Sequence, residues 1–344
     1  MVLANFSNPS EISKKMERMS MKVRLVCILV AAVFALITNV FAIGQEVNIS
    51  YPGLTGESLP VWIAKEAGVF DENGLRANLV YMEGGRLSIQ SLLSDSTQFM
   101  GGDAVSALTA VAGGVDIVLL ASAKNILPYV FAVSQNIENP KDLKNKIIAV
   151  SQIGGRAGEI ARMVVKNIGL NPDKDVQYLS VGGSRSRLAA LSKGTVQAAP
   201  VARGLVPTVE KAGLKTLEVE PIPFIVDALW TTRKYAETHP DIVNRVIKSF
   251  VKGIAITVKD RDTALRVLRK YTKINAKEVL DYTYETYVKT VDKVPIPSGP
   301  AVENTIEMSL RLAPKLKDID VRKHFYFDPL HRLEKQGYIE GLYK

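Results

Sequence analysis

From residue 46 onward the chain alternates short β-rich runs with segments whose apolar residues recur at helical spacing. This alternation constrains the fold more than any other feature, because it marks α/β architectures in which helices pack on a largely parallel sheet. Residues 47–51 predict the first strand. Ser58 is placed to cap a helix running to Ala67, with Pro60 in its first turn and Gly68 just past its end. A strand at 79–82 follows, and Gly84 and Gly85 lead into a helix carrying Leu87, Leu92 and Leu93. The third strand is expected at 99–102. Asp103 can cap the next helix, whose Ala104, Ala107, Leu108 and Val111 fall on one face. Residues 117–121 complete this set as a buried strand.

A second set begins near 129–134. It continues with a strand at 147–151 and a helix bearing Ala157, Ile160, Ala161, Val164 and Val165 on one face. A strand at 176–181, a helix around 187–191 and a strand at 196–201 extend the pattern. After an apolar strand at 224–231 that contains Asp227, the chain turns helical. Candidates lie at 239–259, 263–271, 276–292 and 301–312, with a rigid proline-rich loop at 295–300. At 344 residues, 47% hydrophobic and 23% charged, the chain has a length prior of about two domains and needs no disulfide staples.

The N-terminus carries a different signal. Lys22 and Arg24 precede an uncharged apolar run from 25 to 43, and Val40 and Ala42 are small residues near its end. A basic region, an apolar stretch and small residues at the −3 and −1 positions form the signal-peptide pattern, so cleavage is expected after Ala42. An uncleaved anchor is the alternative, since the run nearly reaches the roughly 20 residues of a membrane span. The single cysteine, Cys27, falls inside this segment, so the mature chain would hold no disulfide, Cys-based zinc site or thiol nucleophile. The formal charge is +9; five basic and two acidic residues precede position 43, and the excess that remains contains no Lys/Arg run of a nucleic-acid-binding kind.

The stretch from Leu59 through Pro60, Trp62, Ala64, Lys65, Glu66, Gly68, Val69 and Phe70, closed by Asn73, Gly74 and Leu75, resembles the opening helix and turn of the nitrate/sulfonate/taurine and thiamine-precursor substrate-binding proteins. Pro140, Asp142 and Leu143, leading into the apolar run Ile147, Ile148, Ala149 and Val150, are similar to that family's opening of its second lobe. Asn145 departs there from the more usual glycine. Ile168, Gly169, Leu170, Asn171 and Pro172, followed by Asp175 and Val176, are a third match. The resemblance spans roughly residues 46–315 and does not reach the tail at 325–344. It implies an α/β fold of the type II periplasmic-binding-protein (Venus flytrap) kind, two lobes around a ligand cleft. It also implies a periplasmic, monomeric protein that delivers a small-molecule ligand to the permease and ATPase subunits of an ABC importer. The expected partition is 1–42 as extension plus signal peptide, 46–125 with 224–344 as one discontinuous lobe, and 126–223 as the other.

In open α/β lobes, ligands gather at the carboxyl ends of strands, where helix N-termini present free N–H groups. Four glycine-bearing loops precede helices here, and they supply the candidate ligand-binding residues Thr55 and Gly56, Gly85 and Arg86, Asp103, and Ser151, Gly154, Gly155 and Arg156. Arg203, just past the strand at 196–201, joins them. Arginines at helix starts oppose the helix dipole, which favours a functional reading of Arg86 and Arg156. Each also has a plain alternative, as turn glycines, a helix cap or solvated arginines. Asp227 either contacts ligand or pairs with a lysine. The expected ligand is a small anionic or polar metabolite of the sulfonate, nitrate, carboxylate or pyrimidine-precursor class.

Other functions fit less well. Gly154, Gly155 and Gly158 lack the dinucleotide-binding spacing, and His239, His324 and His331 all lie in helical or tail segments, away from any candidate nucleophile. Pyrimidine-synthesising relatives of the same fold are enzymes but use histidine and cysteine features missing here, so no enzymatic activity, cofactor or metal is expected. A periplasmic sensor feeding a signalling partner is the functional alternative, because fold alone does not separate transport from sensing.

Overall fold

The computed structural model describes residues 44–344 except Thr55, Glu83, Asp103, Gly154, Gly155 and residues 218–220. The export signal read at 25–43 lies outside the described residues, as do the candidate site residues Thr55, Asp103, Gly154 and Gly155. Strand β1 (Gln45–Tyr51) is followed by helices α1 (Leu59–Glu66) and α2 (Val69–Glu72), β2 (Leu75–Tyr81), α3 (Gly85–Leu93), β3 (Phe99–Gly102), α4 (Ala104–Ala112) and β4 (Ile117–Ile126). Next come β5 (Tyr129–Val133), β6 (Lys146–Val150), α5 (Arg156–Asn167), β7 (Val176–Ser180), α6 (Ser184–Ser192), β8 (Ala198–Ala202), a 3₁₀ turn at Arg203–Leu205, α7 (Val206–Lys211) and β9 (Lys215–Leu217). The chain then returns through β10 (Pro223–Thr232) to helices α8 (Arg233–Thr238), α9 (Pro240–Lys259), α10 (Arg261–Thr272), α11 (Lys277–Thr290), α12 (Gly299–Leu312), α13 (Asp328–Lys335) and α14 (Tyr338–Gly341).

Among the described residues the strands form two five-stranded sheets, ordered β2-β1-β3-β10-β4 and β7-β6-β8-β5-β9. In the first, β1 runs parallel to β3, while β10 is antiparallel to both β3 and β4. In the second, β6 is parallel to β7 and β8, and β5 is antiparallel to β8 and β9. Each sheet with its helices is one lobe. Leu127, where the chain leaves the first sheet, donates its N–H to the carbonyl of Ile222, where it returns, at 3.0 Å. The two crossings are therefore tied side by side.

Strands β4 and β10 are buried along nearly their whole length because both of their faces are covered. On one face lie α1 and α9, with Val61, Phe70, Val243, Ile247 and Phe250 in the core; on the other, α4 and α12 bury Leu108, Trp230 and Met308. Gly253 of α9 makes the first contact close: a Cβ there would stand 2.2 Å from the carbonyl oxygen of Pro60. The second sheet packs Phe131, Ile148, Ile160 and Val164 under α5, and Leu188, Leu191 and Val209 under α6 and α7.

Several local expectations are corrected. Ser58 makes no capping bond; its backbone (φ −107°, ψ 20°) is outside the extended geometry in which a serine oxygen reaches the helix N–H groups. The second strand starts at Leu75 rather than 79, because buried Leu75 and Ala77 alternate with exposed Arg76 and Asn78 along a half-buried strand. Where the family resemblance stops, the tail at 325–344 packs against the first sheet, in the segment the expected partition gave to that lobe. Tyr326 donates its N–H to Leu119 at 2.9 Å, and Leu330 and Ile339 sit in the core beneath α9, each worth about 1.5–3 kcal/mol of burial.

Candidate functional site

Nine of the ten residues of β4 are buried, and one of them is Lys124, 5% exposed in an otherwise uncharged strand. It lies opposite Val226 of β10, at a register shift that is followed by Asp227. Asp227 has φ +53°, a left-handed conformation that costs a non-glycine residue on the order of 1–3 kcal/mol. That backbone turn keeps Asp227 buried beside α11, where the Tyr287 hydroxyl donates to its Oδ2. The ring of Tyr287 also faces Lys124, whose Nζ is 4.9 Å from the ring centroid.

Lys124, Glu57 and Gly56 from the first lobe, together with Thr283, Thr286 and Tyr287 of α11, form one wall of a cavity of about 350 Å³ including its open mouth. The second lobe supplies the opposite wall with Pro128, Ala202, Arg203 and Gly204. The lobes come into direct contact here, since a Cβ on Gly204 would lie 2.4 Å from Thr283 Oγ1. Arg203 extends a guanidinium whose Nη2 donates to the Tyr129 carbonyl at a long 3.4 Å. Glu57 Oε2 is 3.5 Å from Arg156 Nη2 across the cleft, and that same nitrogen donates to Tyr129 Oη at 3.1 Å. An apolar hollow of about 360 Å³, lined by Phe131, Ile160, Val164 and Ile222 among others, adjoins the polar cavity and shares Arg203 with it.

Burial dominates the electrostatics. It pushes the Asp227 carboxyl up to about 8, against the Tyr287 hydrogen bond and the charge of Lys124, which pull it down. Burial likewise lowers Lys124, while Glu57 and Asp227 hold its proton and the charge of Arg203 opposes it. Burial and the adjoining Asp227 carboxyl raise Tyr287 well above its ordinary value. Among the described residues no carboxylate lies within ion-pair distance of Lys124, and no hydrogen bond holds its ammonium. A buried ammonium without a counterion costs several kcal/mol unless something supplies negative charge. An anion in this cavity would meet Lys124 from one lobe and Arg203 from the other.

Of the residues singled out from sequence, Gly56 and Arg203 line this cavity. Arg156 stands at its edge, already engaged with Glu57 and Tyr129, so a ligand anion is not its sole partner. Gly85 begins α3 and Arg86 is exposed on its first turn; neither lines the cavity, nor does half-buried Ser151, whose carbonyl accepts from Gly182 N–H. Asp227 turns out to stand next to a lysine, as one of its two readings had it, but without an ion pair. Sequence reasoning missed Lys124, Glu57 and Tyr287. Only Lys124 left a signal, as the lone charge in a ten-residue buried strand.

Two α/β lobes, joined by paired crossings and enclosing a polar cleft between them, define the periplasmic binding protein fold. Solved structures with this fold superimpose on the chain. The periplasmic aliphatic sulphonate-binding protein SsuA from Escherichia coli aligns with a TM-score of 0.66 at 19% identity, over 82% of this chain and 92% of its own. The Candida albicans protein described as having the generic periplasmic binding protein structural fold gives 0.60 at 16%, over 84% and 95%. The periplasmic nitrate-binding protein NrtA from Synechocystis gives 0.58 at 12%, over 70% of each. No curated protein matches the chain in sequence. The NMT1/THI5-like family model matches residues 55–264, more than half of the chain, and the chain belongs to that family.

Proposed function

We propose that this protein is the solute-binding component of an ABC importer, holding a small anionic or polar metabolite in the cleft between its lobes without chemically altering it. One observation carries the reading. Lys124 presents a buried ammonium, unpaired by any described carboxylate, to a cavity whose far wall bears Arg203. An anion bridging the two draws the lobes together, and the closed form is the one a permease recognises. Kinship in fold with sulphonate- and nitrate-binding proteins, and membership of the NMT1/THI5-like family, support this class of role. The protein acts as an exported periplasmic monomer, with permease and ATPase subunits as its partners. Among the described residues no helix is long and apolar enough to cross a membrane. A thermal-shift screen over sulfonates, nitrate, carboxylates and pyrimidine precursors tests the reading. A ligand at 100 times its dissociation constant stabilises the fold by about 2.7 kcal/mol. No stabilisation by any anion, with unchanged melting of Lys124→Met under the same ligands, would overturn it.

A further inference from the structure

Anion capture by Lys124 and Arg203 leaves one buried acid behind the cavity without a task. Asp227 is 3% exposed and directly follows Val226, the residue opposite Lys124 in the sheet. Its backbone takes the left-handed conformation (φ +53°), which a side-chain-bearing residue enters only at a cost. Tyr287 links this acid to the cavity: its hydroxyl donates to Asp227 Oδ2, its ring faces Lys124, and it lines the cavity wall. Lys124 thus has two places for a negative charge beside it, the cavity in front and the Asp227 carboxyl behind.

The two places compete. A protonated Asp227 leaves the charge of Lys124 to the cavity, whereas an ionised one neutralises it from behind and repels an anion in front. The groups facing Asp227 are Tyr287 on α11, Lys124 on β4, and Glu57 ahead of α1, itself engaged with Arg156. Tyr287 in turn faces Tyr343 of the tail and Asp292, and Lys124 faces Arg203. Of these, Lys124 and the Tyr287 hydroxyl favour the carboxylate. An anion on Lys124 offsets the first and adds a negative charge of its own, so it drives Asp227 to its neutral form. We propose that the solute anion is captured together with one proton from solvent, which Asp227 holds while Lys124 and Arg203 hold the anion. Burial pushes the Asp227 carboxyl up to about 8, so affinity is fully present below that value and is lost as pH rises through it. The inference rests on the anion-capture reading above and gives that site its pH dependence.

Calorimetric titration with nitrate, ethanesulfonate and propionate tests it, because all three stay ionised across the range and any titration belongs to the protein. In buffers of different ionisation enthalpy near about pH 8.5, an anion that binds should draw about half a proton or more from the buffer. Its affinity should fall about fivefold or more between about pH 6.5 and about pH 9. Asp227→Asn should hold affinity within about twofold over the same range, since the proton's seat is gone. Tyr287→Phe removes the hydrogen bond that favours the carboxylate and should shrink the fall by moving it to higher pH. Binding without proton uptake and at constant affinity overturns the inference and leaves anion capture standing. So does a full fall retained by the Asn variant or, where that variant does not fold, by Tyr287→Phe. Binding by none of the three anions at any pH overturns both.

Discussion

Replacing Lys124 by methionine separates a ligand-binding lysine from a structural one. Methionine keeps the length of the stem and packs against the Tyr287 ring, but removes the ammonium. Were Lys124 the buried counterion of Asp227, breaking the pair would leave a charge stranded and cost about 3–5 kcal/mol of stability. The structure argues otherwise. No ion pair joins the two, and burial keeps Asp227 protonated up to about pH 8, so at neutral pH the variant strands a neutral acid that Tyr287 already bonds. Stability should therefore stay within about 1 kcal/mol or rise, as when a buried charge gives way to an apolar residue of similar volume. Affinity for the anion should fall by about 1.5–3 kcal/mol, which is roughly 10- to 150-fold in Kd. Urea melts at pH 7 and calorimetric titrations of both proteins read the two quantities separately. A variant that loses more than about 3 kcal/mol yet binds anions as before would refute the argument and make Lys124 a counterion of the core.

Further outcomes follow from the same geometry. The raised Asp227 carboxyl keeps its proton in the folded state to about pH 8 but loses it near 4 when unfolded, so its contribution to stability is present at low pH and is lost as pH rises through that window. Asp227→Asn, which still accepts from Tyr287, should flatten the fall between pH 5 and 8 in denaturant melts; equal slopes would contradict the assignment. Gly204→Ala sets a Cβ 2.4 Å from Thr283 Oγ1 and should weaken anion binding by obstructing the lobe contact, and Thr283→Ala in the same chain should restore it. Leu330→Ala, fully buried under α9, should cost about 2–5 kcal/mol in thermal melts; a loss below 0.5 would mean the C-terminal tail is dispensable.

Periodicity made the lobes readable and left the site mostly hidden. Strands such as Phe99–Gly102 and Lys146–Val150 announce themselves as short buried runs, and the helix from Arg156 through the helical spacing of its buried residues. The tail gave no such signal: its two short helices contribute mainly Leu330 and Ile339 to a core built by residues far away in sequence. At the site, the sequence candidates Gly56 and Arg203 line the cavity, but Lys124, Glu57 and Tyr287 reach it from three separate segments. Tyr287 sits on a helix more than 150 residues from Lys124, and nothing in its own surroundings distinguishes it from Tyr284, which packs in the core three residues earlier.

If Lys124 and Arg203 hold an anion as proposed, their position couples binding to closure. Lys124 and Asp227 sit near the ends of β4 and β10, the strands that continue directly into the two crossings between the lobes. Arg203 opens the turn on which the second lobe meets α11. Without an anion, Lys124 and Arg203 repel across the cleft, while the Glu57–Arg156 pair, 3.5 Å apart across the same cleft, draws its walls together. An anion between Lys124 and Arg203 reverses the sign of their repulsion, and most of that energy is realised only when both walls reach it. A ligand held as proposed would therefore act where the two lobes already touch, at Gly204 and Thr283, beside the crossing tied by Leu127 and Ile222.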